Sequence, residues 1–371
     1  MVCMAMTGCR LITIATLSLL EPLLVGSVLL KGRSVRTRGF LSSLQENYNS
    51  KPGQLKVPSA QLPPIESITS NRSNAHNHVV YTADVHVFSA LLRSMQSLSL
   101  HLAAPELYVL HLIVPQADLQ QASELVNCFK RKLQQGGHPL LPLVQIHGIR
   151  PMSFTPNYRN RHDLQGHADV TFARCFIPEY LQNVSRAVYL DTDTLFMGDI
   201  APLFEMQLQT PLAAVPEQTS FKQLYGKWLS NLAEDVPPTD QSIFNDGVMV
   251  LDLDKWRADN ITSDLQDLAQ SEEPVDEQLL LNLEFQVRKT FDPLPAEWNI
   301  FRVRSVGWPD LGWSDDLPPD SEILQARILH WTGAKPWNMN HKQQWIEQYQ
   351  HLWEAPGADS GATCEATKTL S

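Results

Sequence analysis

From His78 onward, short runs that are apolar at nearly every position alternate with longer segments of helical period. The stretch from His78 to Thr82 reads as a strand, Phe88, Leu91, Met95 and Leu98 recur at helical spacing, and Leu107 to Val114 reads as a second buried strand. A helix through Leu119, Val126 and Phe129 and a third strand around Leu143 to His147 continue the pattern. Such alternation specifies an α/β fold. Thr171 to Tyr180 predicts a short helix stopped near Pro178, and Ala187 to Leu190 the next buried strand. Further strands are expected at Leu212 to Val215, Gly247 to Leu253 and Arg327 to Leu329, and a last helix carries Trp345, Tyr349 and Leu352 on one face.

Composition bounds the rest. With 43% hydrophobic residues in 371, the chain can bury one large core or two smaller ones. A formal charge of -11, with no block of Lys and Arg in the body of the chain, argues against a nucleic-acid surface, which needs cations against phosphates. The five cysteines show no zinc-binding spacing. Leu11 to Leu30 is an apolar stretch of bilayer-spanning length, broken at Glu21-Pro22, preceded by Arg10 and followed by Lys31, Arg33, Arg36 and Arg38. Residues 1–30 are therefore expected to be a signal anchor or uncleaved signal peptide that ties the chain to a membrane. The Arg and Ser between Arg33 and Ser43 leave an organelle transit peptide as the alternative. Residues 31–75, rich in Ser, Gln, Pro and Asn, read as a stem, 76–355 as the folded domain and 356–371 as a disordered tail. Asn71, Asn183 and Asn260 head N-x-S/T triplets, which fit a lumenal domain in the Golgi or endoplasmic reticulum, or a secreted one.

Chemistry concentrates at Tyr189-Leu-Asp-Thr-Asp193. Where a chain leaves a buried strand, side chains two apart point to the same side, so Asp191 and Asp193 converge. Two close carboxylates repel each other, and a divalent cation keeps both ionised while offering open positions to a diphosphate. Asp252-Leu-Asp254 also follows an apolar run, so local context does not separate the two pairs. Val188 to Thr194 also fits the first motif of a haloacid dehalogenase-type phosphatase, with Asp191 as nucleophile, Asp193 as general acid and Asp315-Asp316 as the later acidic pair. Three strands precede the motif here, whereas that fold places it on its first core strand.

Together with motifs elsewhere in the chain, this triplet resembles glycosyltransferase family 8, over roughly residues 78 to 353. Val79-Val-Tyr-Thr-Ala-Asp84 looks like the family's first strand, with Thr82 and Asp84 on positions that hold the nucleoside and His86 where Asn is usual. Ala173-Arg-Cys-Phe-Ile-Pro178 is similar to the segment whose arginine, Arg174, faces the donor. Phe244-Asn-Asp-Gly-Val248 resembles the family's F-N-A-G-V, which places Asn245 and Gly247 near the donor sugar. Asp246 replaces the usual alanine; a carboxylate beside a diphosphate is costly unless it faces sugar hydroxyls or the metal, so this position is expected to alter donor choice. Glu277-Gln-Leu-Leu-Leu-Asn282 looks like D-Q-x-x-L-N, with Glu277 gripping sugar hydroxyls and Gln278 on the reactive face; Glu277 could equally cap a helix. His330-Trp-Thr-Gly-Ala-Lys-Pro-Trp337 resembles H-x-x-G-x-x-K-P-W, one residue short between Gly333 and Lys335.

The resemblance implies a GT-A fold, a Rossmann-like nucleotide-sugar-binding domain with a mixed central sheet. It also implies a retaining transferase using a UDP-sugar donor and a glycan or glycoconjugate acceptor. His330 completes an Asp191/Asp193/His330 set suited to Mn²⁺, with Mg²⁺ as the alternative. Asp191 and Thr192 adjoin the donor, Gly333 lets backbone approach phosphate, Lys335 supplies a point charge for the diphosphate, and Trp337 is a packed wall. The acceptor is expected along Phe221 to Asp240 and Val303 to Asp320, where Trp308 and Trp313 could stack on sugar. The competing class is a fold that binds a sugar nucleotide without turning it over.

Overall fold

The computed structural model describes residues 76–150, 168–223, 240–269, 276–288, 290–301, 320–332, 335–337 and 352–353. The expected leader, stem and tail, most of the last helix, Gly333, Trp308, Trp313 and Asp315-Asp316 lie outside the described residues. Among the described residues, no helix is long and apolar enough to cross a membrane.

The apolar runs become strands of one seven-stranded sheet, ordered β3-β2-β1-β4-β7-β6-β8. Its strands are β1 (Asn77–Thr82), β2 (Tyr108–Val114), β3 (Leu143–Gly148), β4 (Arg186–Leu190), β6 (Leu212–Ser220), β7 (Ser242–Asp252) and β8 (Asp292–Pro293). Strands β1 to β4 run parallel, β7 runs antiparallel to β4 and to β6, and β8 is parallel to β6. The sheet is mixed, as expected. A separate ribbon pairs β5 (Thr194–Phe196) with β9 (Ile328–His330) antiparallel.

Helices α1 (Phe88–His101) and α2 (Leu119–Gln135) cross between the first parallel strands. Phe88, Leu91, Met95 and Leu98 of α1 are all fully buried against Val79 and Tyr81 of β1 and Leu110 and Leu112 of β2. Each such side chain contributes about 1.5–3 kcal/mol, so this layer rigidly sets the level at which β1 and β4 end. The remaining helices are short: α3 (Ala168–Phe172), α4 (Ile177–Tyr180), α5 (Ala201–Glu205), α6 (Leu253–Ala258), α7 (Ile261–Ala269), α8 (Glu277–Leu283) and α9 (Asp320–Gln325).

Four elements differ from expectation. The predicted helix from Thr171 to Tyr180 is broken into α3, a 3-10 turn at Ala173–Phe176 and α4, and Pro178 sits in the first turn of α4. Proline lacks the N–H that an initial turn leaves unused, so it starts this helix and does not stop it. Strand β7 begins at Ser242, so Phe244-Asn-Asp-Gly lies inside the strand and not before it. Strand β6 runs on to Ser220 through two register shifts, past polar residues that break the apolar pattern. Strand β5 was not foreseen, because three residues after a turn show no period of their own.

A polar ladder crosses the parallel half of the sheet. His78 Nδ1 meets His111 Nε2 at 2.9 Å, and His111 Nδ1 meets His147 Nε2 at 3.0 Å, linking β1, β2 and the edge strand β3. Burial, with His147 and His78 beside it, pushes His111 down to about 3 from 6.5. Burial also lowers His78, aided by His76, and His147, aided by Arg150. At these three imidazoles the folded state therefore binds fewer protons than the unfolded chain, and their contribution to stability falls as pH drops below about 6.5. His111 alone is expected to cost roughly 2 kcal/mol of stability between pH 6.5 and pH 5. Urea unfolding of wild type and His111→Leu at both pH values checks this: the variant should lose distinctly less stability on acidification.

Candidate active site

Strand β4 delivers Asp191 at its end, where the Asp191 N–H donates to the Gly247 carbonyl of β7 at 2.8 Å. The Thr194 hydroxyl donates to the Asp191 carbonyl at 2.7 Å and closes the turn that aims Asp193 back. The chain then enters β5, whose partner β9 sets Thr194 opposite His330. The Trp331 N–H donates to the Asp193 carbonyl at 3.1 Å. Residues more than a hundred positions apart are so brought together: His330 Nε2 lies 3.3 Å from Asp193 Oδ1 and 3.6 Å from Asp191 Oδ2. One ligand atom from each of the three lies within 4.8 Å of the others, a geometry that suits a single cation.

Gly247 makes this approach feasible. A Cβ at position 247 would collide with His330 Cε1, and would sit 2.8 Å from its Nδ1 and 2.9 Å from Asp191 Oδ2. Expected to lie near the donor sugar, Gly247 also forms the floor under two of the candidate ligands.

The two oxygens of Asp191 are used differently. Oδ1 accepts from the Tyr189 hydroxyl at 2.7 Å and from Arg174 Nη2 at 3.0 Å, which leaves Oδ2 facing His330. Tyr189 spends its proton on that carboxylate, so the Thr82 hydroxyl, 3.1 Å away, donates to Tyr189. Burial, only partly offset by Arg174, raises the Tyr189 phenol well above its usual range, so the proton stays on it. Tyr189 heads the acidic motif in the sequence but was given no role of its own there; a tyrosine within an apolar strand carries no signal apart from its place two residues before Asp191.

Arg174 is enclosed, with a side chain 6% exposed. It meets Asp191, Asp246 Oδ2 at 2.8 Å and Glu277 Oε1 at 3.8 Å, donates through Nε to the Thr171 carbonyl, and lies over the Tyr189 ring. Burial alone would favour its neutral form; Asp191 and Asp246 outweigh it and hold the guanidinium charged. Asp246, the position expected to alter donor choice, pairs with Arg174, which is enclosed beside it. Burial pushes the Asp246 carboxyl up to about 8, with Arg174 opposing and Glu277 and Asp191 adding to the rise.

Asp193 takes the other cation. Lys335 Nζ contacts Asp193 Oδ2 and donates to the Trp331 carbonyl at 3.1 Å. Burial raises the Asp193 carboxyl, but Lys335 and His330 outweigh it and hold the group below the usual carboxylate range. The shortened His330 segment therefore brings Lys335 to the acidic pair. Trp337 packs on Trp353 with ring centroids 5.3 Å apart, as befits a wall.

The other predicted residues find definite places. Thr192 occupies the turn between the two aspartates. Asp84, two residues past the end of β1, caps the 3-10 turn Val85–Val87 by accepting from the His86 N–H at 2.8 Å. Asp276, not Glu277, caps α8 by accepting from Leu279 N–H at 2.7 Å, and Glu277 Oε1 lies 3.8 Å from Arg174 Nη2. Asn282 stitches α8 to β7: its side chain accepts from Phe244 N–H at 2.9 Å and donates to the Phe244 carbonyl at 3.1 Å and the Gln278 carbonyl at 2.9 Å. That places half-buried Gln278 at the start of α8, beside Glu277. Asn245 and Asn299, the latter unmarked in the sequence, stand behind His330.

The rival pair is disposed of by position. Asp252 lies opposite Arg186, at the far end of β4 from Asp191, and caps α6 through the Lys255 N–H. Asp254 pairs with Arg257 at 3.1 Å.

The profile described as Glycosyl transferase family 8 matches residues 43–341. The chain belongs to glycosyltransferase family 8. That match begins inside the stretch read as stem, and it sets the phosphatase reading aside. Among relatives in the family, Glycosyltransferase GlyE of Streptococcus pneumoniae is 27% identical over 277 residues, 71% of this chain and 58% of GlyE. Probable galacturonosyltransferase-like 6 of Arabidopsis thaliana is 25% identical over 271 residues, 70% of this chain and 74% of the relative. The chain thus spans little more than half of GlyE. The solved structure of the galactosyltransferase LgtC with donor and acceptor sugar analogs superposes with a TM-score of 0.52 at 19% identity, covering 75% of this chain and 95% of LgtC. The fold of this family 8 chain is GT-A.

Gly247→Ala is expected to displace His330 and weaken divalent-cation binding by roughly 100-fold, with about 1–3 kcal/mol of overpacking cost. Calorimetric titration with Mn²⁺ and thermal unfolding measure the two; unchanged affinity would mean that position 247 does not hold His330.

Proposed function

We propose that this chain transfers a glycosyl group from a UDP-sugar to a hydroxyl of a glycan or glycoconjugate, with retention of anomeric configuration. The observation that carries the reading is the convergence of Asp191, Asp193 and His330 over Gly247, in a chain of family 8. Two carboxylates and an imidazole fit Mn²⁺ and accommodate Mg²⁺. When bound, such a cation supplies Lewis-acid stabilisation of charge on the departing diphosphate.

The chain's own residues divide the remaining work. Tyr189 and Arg174 tie down Asp191 Oδ1 and so aim Oδ2. Thr82 and Asp84, at the end of β1, hold the nucleoside. Lys335 offers its ammonium to the diphosphate, and Gly333 lets the backbone come close. Asn245, Asp246 and Gly247 line the donor side of β7, with Asp246 acting through Arg174. Glu277 grips sugar hydroxyls, and Gln278 faces the anomeric carbon as its bond to the diphosphate oxygen breaks and the acceptor oxygen bonds on the same face. Residues 76–355 form the catalytic domain, with the leader as membrane anchor, the stem as spacer and the Golgi or endoplasmic reticulum lumen as the working compartment.

UDP release by the purified full-length protein, measured over a panel of UDP-sugars with Mn²⁺ and with chelator, tests this. One donor should stand out, chelator should abolish release, and Asp191→Ala should lower it at least ~100-fold. An Asp191→Ala protein as active as its parent would sink the metal-site assignment. Donor binding without release would mark a binding protein.

A further inference from the structure

His330 is backed by a buried polar row that no sequence motif announces. Asn245, Asn299 and His330 are 4%, 1% and 2% exposed, so their hydrogen bonds must close within the protein. The two ends of an Asn side chain are told apart by their partners, and one partner here is unambiguous. The Gly247 N–H lies 3.1 Å from one terminal atom of Asn245. A backbone amide only donates, so that atom is the oxygen, and the Asn245 nitrogen points the other way, to Glu217 Oε1 at 3.3 Å. Asn299 approaches the same Asn245 oxygen at 2.8 Å and must meet it with its own nitrogen. The Asn299 oxygen is thereby turned toward His330 Nδ1, 3.1 Å away. An acceptor at that point requires a proton on Nδ1, and Nε2 is turned to the carboxylates of Asp191 and Asp193, where a bound cation takes the place of any second proton.

We infer that Asn299, braced by Asn245, is a positioning residue that keeps a proton on His330 Nδ1 and so reserves Nε2 for a cation. The inference deepens the metal-site reading and depends on it only for the cation; the Nδ1 proton follows from the hydrogen bonds. It also gives Asn245 a second task, since its oxygen serves both the Gly247 N–H and Asn299. Outer partners of this kind orient a metal-binding histidine and typically govern metal affinity by 10–100-fold. Here the orientation starts from a backbone N–H in the strand beside Asp191, so ligand geometry and strand geometry are set together.

The test is a long-range ¹H–¹⁵N correlation spectrum of histidine-labelled full-length protein without metal at about pH 8, with the His330 signals identified by their loss in His330→Gln. Wild type should show a proton on Nδ1. Asn299→Leu should lose it, leaving the proton on Nε2 against the carboxylates, and bind Mn²⁺ about 10–100-fold more weakly by electron paramagnetic resonance. Asn299→Asp keeps an oxygen acceptor for Nδ1–H and should retain that proton. An Nε2–H imidazole in wild type, or an Asn299→Leu protein that keeps the Nδ1–H form, overturns the inference. Wild type that fails to bind Mn²⁺ overturns the metal reading alone, because the spectrum decides the tautomer separately.

Discussion

Four carboxylates, those of Asp191, Asp193, Asp246 and Glu277, crowd one end of the central sheet, and the site depends on how their charge is shared. Arg174 serves three of them from an enclosed position, while Lys335 and His330 face Asp193. An unpaired carboxylate at this depth is costly, and stripping a buried group of its partner typically costs about 3–5 kcal/mol. Arg174 is therefore as much a structural hub as a functional one. By holding Asp191 on one oxygen it leaves the other for a cation, so the same ion pair that stabilises the fold prepares the chemistry.

The sheet supplies the geometry for that sharing. Parallel strands β1 and β4 end at the same level, so Thr82 and Tyr189 reach each other and Asp191 projects beyond them. Antiparallel β7 returns alongside β4 and puts Gly247 against Asp191. The ribbon of β5 and β9 adds His330 from a distant part of the chain. Three separate pairings must hold for three ligand atoms to meet, and each is anchored by backbone hydrogen bonds that tolerate little shift.

Much of this was legible in the sequence, for physical reasons. The apolar runs of β1, β2 and β4 were read nearly to the residue because strands buried on both faces admit few polar side chains. The longer strands were read short for the converse reason: β6 and β7 carry Glu217, Asn245 and Asp246 inward, and polar residues in a strand look like its end. The choice between Asp191-Thr-Asp193 and Asp252-Leu-Asp254 could not be made locally. It required His330, whose place beside the first pair is fixed by a three-residue strand with no periodicity to detect. Asn299 left no trace because it follows a 3-10 turn and its importance lies wholly in what it touches. The pairing of Asp246 with Arg174 was not legible because burial of Arg174 is a property of the packed structure and not of its neighbours in the chain.

The central claim is that one cation is held by Asp191 Oδ2, Asp193 Oδ1 and His330 Nε2 at the end of β4. Anomalous diffraction from crystals of the full-length protein grown with Mn²⁺ and UDP tests it most directly. A single strong anomalous peak within bonding distance of all three atoms, with the diphosphate beside it, is the predicted result. A peak held by Asp252 and Asp254, or none near His330 at saturating Mn²⁺, would contradict the account.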